Sequence, residues 1–177
     1  MGKVHIKGLK ISEELCLVRL RKTAPADRLV PAFCGLLSGS RINMPFMTTA
    51  FKEGRMQAAC CVAAADRVSL KRLIDSDPKL SPMVVFTREV GLLTIYPHHS
   101  SLELFGHSLR ALFKAGLQVH AMASSIGALT YVLDYRQLEK AAAVIEIRFD
   151  LGDNHAPFRA EFVVAQGTQS RPGTPNK

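Results

Sequence analysis

The side chains best suited to chemistry in this sequence are few. His98 and His99 stand side by side ahead of Ser100 and Ser101, with His120 further on. Imidazoles ligate metals and hold anions, so this group is the first to weigh. Side chains of consecutive residues diverge, and no carboxylate or cysteine is patterned with the pair. A solvent-exposed loop is therefore the expected setting, with no metal. The serines beside these histidines have no evident acid partner, so no nucleophilic triad is expected. Cys16, Cys34, Cys60 and Cys61 lie in apolar stretches without CxxC spacing. Adjacent strand residues face opposite ways, so Cys60 and Cys61 are not placed to share a metal. They read as buried or half-buried thiols in a reducing compartment. There is no Walker loop, GxGxxG, GxSxG or HExxH. The expectation is no catalytic residue and no cofactor.

Composition sets the bounds. A chain of 177 residues, 47% hydrophobic and 21% charged, has the make-up of a folded globule, large enough for one domain or two small ones. No apolar run reaches the roughly 18 to 20 residues that span a bilayer. Lys3, Lys7, Lys10, Glu13 and Glu14 interrupt the N-terminal stretch, so no signal-peptide core is read there. A cytoplasmic protein without a membrane partner is expected. The net charge of +8 raises the question of nucleic acid. The basic residues are dispersed, however, and residues 56–64 (MQAACCVAA) offer no aromatic ring on which a base could stack. A solvated basic surface is the expected reading. An acylphosphatase-like use of the fold would need an Arg/Asn anion cradle, and none stands out.

These residues must be held by elements, and the elements come in two sets. Residues 13–22 alternate as a strand, with Leu15, Leu17 and Arg19 against Cys16, Val18 and Leu20. A helix follows with Leu29, Phe33, Leu36 and Leu37; Pro31 suggests that it begins near Val30, after a long loop. Strands over 41–50 and 56–64 flank a Glu53-Gly54 hairpin turn. A short helix over 66–75 and a strand over 82–87 close the set. The order then repeats: strand 90–96, a helix announced by the capping-box pattern Ser100-Ser101-Leu102-Glu103, strands 117–123 and 128–134, helix 135–144 and strand 145–150. The expected fold class is α+β, with two tandem ferredoxin-like βαββαβ sandwiches and antiparallel sheets. The division is residues 13–88 and 89–151, with an extra strand within 1–12 and another within 152–165. Residues 166–177 are too polar and Pro/Gly-rich to pack and should be disordered.

The layout resembles tandem ACT regulatory domains, especially those at the C-terminus of aspartokinases. In the first set, Arg41-Ile42-Asn43-Met44, Gly54-Arg55 and Val68-Ser69-Leu70-Lys71-Arg72-Leu73 carry the resemblance. In the second, Ala115-Gly116-Leu117-Gln118-Val119, Ala123-Ser124-Ser125, Tyr131-Val132-Leu133-Asp134 and Leu138-Glu139-Lys140-Ala141 carry it. It spans roughly residues 13–150. The resemblance implies a non-catalytic, allosteric module binding a free amino acid at an ACT–ACT interface. It also implies a homodimer or a partner enzyme under control. The effector would be held by the loop after a first strand and by the start of a neighbour's second strand. Carried over, these positions are Thr23, Ala26 and Asp27 with Asn43 and Met44 in the first unit. In the second they are His98, His99, Ser100 and Ser101 with Gln118 and Val119. Asp27 would accept the effector's ammonium, or else complement its own helix dipole. Asn43 and Gln118 are either ligand contacts or turn chemistry. The Asp-x-Pro-Gly of the family is not intact in either loop, TAPAD or PHHSS. The alternatives are a structural or interaction domain that has lost its ligand and, behind it, a nucleic-acid-binding protein.

Overall fold

The computed structural model describes residues 4–23, 26–52, 55–97, 101–151 and 158–159. The Glu53-Gly54 turn, the tail over 166–177 and most of the strand expected within 152–165 lie outside these residues. Of that strand only β8 (Phe158–Arg159) is described, beside β1 (Gly8–Ile11). None of the described helices is long and apolar enough to cross a membrane.

In the first unit, strand alternation and two apolar helix stripes build an α/β sandwich. β2 (Leu15–Thr23), β3 (Phe46–Lys52) and β4 (Arg55–Ala63) join the early part of β5 (Val84–Tyr96) in the order β3-β4-β2-β5. All of these pairings are antiparallel. α1 (Ala26–Gly39) and α2 (Arg67–Asp75) cover one face, where Cys16, Val18, Phe33, Leu37, Cys60, Leu70 and Ile74 form a core. α1 starts earlier than Pro31 suggested and carries that proline inside it. Pro31 falls near the helix start, so the donor it lacks belongs to one of the first bonds of the ladder, and its ring is exposed. Burial of Phe33 and Leu37 holds the rest.

The second unit uses the later part of β5, then α3 (Leu102–Lys114), β6 (Ala121–Ser124), β7 (Leu129–Asp134) and α4 (Leu138–Arg148). A strand was expected over 145–150, but residues 145–148 continue α4. Leu138, Ala141, Ala142 and Ile145 recur at helical spacing and are buried, whereas Ile147 is 71% exposed. The fourth strand comes instead from β1, which pairs antiparallel with β5 from Gly8↔Tyr96 to Ile11↔Leu93. Ile6, Leu9 and Ile11 thus enter the same core as Leu104, Leu112, Tyr131 and Ile145.

The strands expected at 82–87 and 90–96 are one element. β5 runs through residues 88 and 89, pairing with β2 early and with β7 and β1 later. At the crossing the β2–β5 register shifts between Leu17 and Val18, and Thr87 Oγ1 donates to the Leu17 carbonyl at 2.9 Å. β1 and β2 follow one another along β5, so each of two long tracks supplies the first strand of one unit and the fourth of the other. The eight strands form one hydrogen-bonded sheet, and the faces of its two halves not covered by helices meet across a third core: Leu15, Leu17, Phe46, Ala59 and Cys61 against Val90, Leu92 and Val132.

Candidate functional site

The seam between the two halves of the sheet is packed at its centre and opens at both ends. At one end lies a cavity of about 650 Å³, bordered by Asn43, Met44 and Asp66 of the first unit and by Lys10, Thr94 and Tyr96 of the second unit's strands. Glu13 and Glu14, in the link between β1 and β2, also line it. Leu15 and Leu92 supply apolar wall. A volume in this range suits a small ligand.

Local structure explains how each group arrives there. α1 ends with Arg41 in the left-handed region, φ 56°, and the Ile42 amide reaches back to the Leu37 carbonyl at 2.9 Å. That stop turns Asn43 and Met44 into the cavity wall ahead of β3. Asp66 occupies the N-cap position of α2, yet its side chain makes no capping bond. Its carbonyl accepts instead from Ser69 Oγ at 2.9 Å. The half-buried carboxylate is thereby left at the cavity. Lys10 places its ammonium 5.4 Å from the centre of the Tyr96 ring, within cation–π range. Ser12 is committed to the backbone, donating to the Glu13 carbonyl at 2.7 Å and accepting from the Leu92 amide at 2.9 Å. The cavity therefore offers carboxylates, a cation, amide groups and apolar surface within one small volume.

The other end of the seam has a different character. A cleft of about 750 Å³ is bordered by Arg19 and Arg21 of β2, Thr48 and Thr49 of β3, Gln57 of β4 and His120. His120 Nε2 lies 2.8 Å from Asp134 Oδ1, and Arg88 is 3.6 Å from the same oxygen. Arg19 Nη2 donates to the His120 carbonyl at 3.0 Å.

The sequence-predicted positions scatter across this arrangement. Asn43 and Met44 both border the first cavity, Met44 while packing against the first unit's core. Gln118 stands at the matching helix-to-strand step, after Gly116 with φ 73°, but it is exposed, and Val119 packs against the second unit's core. Ser101 caps α3, accepting from the Leu104 amide at 3.1 Å. That cap lies one residue later than the Ser100–Glu103 pattern suggested, so Ser101 is occupied by its own helix. His98, His99 and Ser100 lie outside the described residues. Thr23 ends β2, and Ala26 and Asp27 open α1; their side chains lie outside the described set.

Sequence reasoning missed Asp66, Lys10, Glu13, Glu14 and Tyr96, which gather only when the two halves of the sheet stack. It also passed over Arg19 and Arg21, although the alternation placing Arg19 with Leu15 and Leu17 was legible. Cys16, Cys60 and Cys61 are not poised for reaction. Burial pushes Cys60 and Cys61 up to about 12, and raises Cys16 as well. Burial also raises Tyr131, against the opposing effect of its hydrogen bond to Ser108 at 2.7 Å. Among the described residues no group of three or more His, Cys, Asp or Glu is placed to hold a metal ion.

No protein-family model and no curated protein matches this sequence. Solved structures do. The regulatory subunit of aspartate kinase from Thermus flavus superposes with a TM-score of 0.72 at 13% identity, covering 82% of this chain and 99% of that one. Aspartate kinase from Synechocystis gives 0.72 at 13% identity over 90% of this chain and 29% of its own. E. coli aspartokinase III in complex with lysine and aspartate gives 0.61 at 14% identity, over 84% and 34%. At such identities the likeness concerns the fold: this chain has the α+β, paired ACT-type fold of aspartokinase regulatory domains.

Proposed function

We propose that this protein is a non-catalytic regulatory module that binds a free amino acid in the cavity bounded by Asn43, Met44, Asp66, Lys10 and Tyr96. The observation that carries the reading is the joint presence there of both charge signs at a junction of two ACT-type units. An α-amino acid needs acceptors for its ammonium, and Asp66 with Glu13 or Glu14 supplies them. It needs donors for its carboxylate, and the Lys10 ammonium and Asn43 amide supply those. Met44, Leu92 and Tyr96 would hold its side chain. The likeness to regulatory subunits and domains, rather than to catalytic domains, supports the non-catalytic reading.

Binding at a junction of two units regulates by favouring one arrangement of them over another. The arrangement so favoured would set the protein's own assembly as a homodimer or its hold on a partner enzyme.

Thermal unfolding of the full chain against each of the twenty amino acids tests the reading. A ligand at 100 times its Kd adds about 2.7 kcal/mol. For a chain of this size that is a rise of roughly 5 to 10 °C in Tm. The expected result is a rise with at least one amino acid that disappears in Asp66→Asn while the unliganded Tm changes little. No rise with any of the twenty would overturn the proposal and favour a structural or interaction domain.

A further inference from the structure

The two ends of the seam are built alike and charged differently. Along β2 the residues facing the other half of the sheet run Leu15, Leu17, Arg19, Arg21. The first two are buried in the central core and the last two border the open cleft. The stripe turns from apolar to cationic where the two halves part. Thr48 and Gln57, on the same face as Arg19, add hydroxyl and amide donors to the same walls, and no Asp or Glu is among the described residues lining the cleft. The carboxylate nearest in the network, Asp134, is engaged by His120 and Arg88.

Arg19 is tied to the second unit at one point. One of its five N–H donors goes to the His120 carbonyl at 3.0 Å, which anchors the guanidinium and leaves the remaining donors of the fork. An anchored guanidinium loses less freedom on meeting an oxyanion.

We propose that this cleft is a binding site for a small oxyanion carrying two or more negative charges. Arg19 and Arg21 would be its charged contacts, with Thr48 and Gln57 donating around them. A phosphate group and a dicarboxylate share this chemistry. The site is separate from the amino-acid cavity, which has carboxylates in its own wall, and the inference does not depend on that cavity being occupied.

Calorimetric titration of the full chain with inorganic phosphate, pyrophosphate and succinate, each against sodium chloride at matched ionic strength, tests the proposal and separates the two sources. At least one of the three should bind saturably, one per chain. Arg19→Gln and Arg21→Gln should each weaken it by about tenfold or more, as expected for a charge-assisted hydrogen bond. Arg110→Gln, at an exposed position on α3, should leave it unchanged. Both cleft arginines are exposed, so their variants should fold, and circular dichroism checks this. Heats indistinguishable from chloride for all three anions would overturn the proposal. So would saturable binding that survives both cleft substitutions.

Discussion

Cys60 and Cys61 occupy adjacent places in β4 and opposite faces of its sheet, one in the first unit's core and one in the seam. Each thiol is pushed from a usual value of 9.0 up to about 12, burial being the main cause. The linkage has a definite sign. Below about pH 9 folded and unfolded chains hold these protons equally, and the thiols' contribution to stability is whole. As the pH rises from 9 towards 12 the unfolded chain releases protons that the folded one keeps, so stability falls. The urea midpoint should drop across this window, and less steeply in a Cys60→Ala/Cys61→Ala variant, whose starting stability is lower because of the cavities left behind. Equal slopes in the two proteins would contradict the assignment. The apolar surroundings of these thiols were legible in the sequence, because MQAACCVAA has no polar residue beside them. That they divide between two cores was implied by their adjacency, once a strand was assumed.

At the scale of elements, the two repeats end their first helices with the same left-handed step, Arg41 at φ 56° and Gly116 at φ 73°. Glycine meets no Cβ penalty there, whereas arginine does, at about 1 kcal/mol. Arg41→Gly should therefore raise stability by about that amount in urea unfolding. A fall instead would show that the arginine side chain contributes more than its backbone costs. These steps made Asn43 and Gln118 recognisable as equivalents, and they mark how far pattern reading reached. It failed where one pattern imitates another. Ile145, Ile147 and Phe149 alternate like a strand, but the deciding positions were Leu138, Ala141, Ala142 and Ile145 on one helical face. It failed again at Thr87, Arg88 and Glu89, whose polarity reads as a gap between two strands. They are the exposed crossing of one strand passing from the first unit to the second. The cavity was half legible for a related reason. Asn43 and Met44 announce themselves by the turn before them, whereas Asp66 and Lys10 acquire meaning only when one half of the sheet is laid on the other.

For the whole molecule, the decisive feature is that the second unit is finished by β1. Deleting residues 4–11 would remove Ile6, Leu9 and Ile11 from its core and leave Leu93 and Ile95 of β5 paired with β7 on one side and unpaired on the side that β1 occupies. Hydrogen exchange should then accelerate through β7 and α4 far more than through β3 and β4. Uniform protection, unchanged by the deletion, would show that β1 is an accessory edge. The intact connectivity also orders events in time. As the chain leaves the ribosome, β1 is made before the first unit, and the strand and helices it must join come after that unit. The second unit therefore waits on the longest reach in the topology. Joining segments so far apart in sequence is an entropically slow step, and until it happens an unpaired strand and an open sheet edge are exposed together. That late closure, more than the packing of either half, sets when a newly made copy becomes complete.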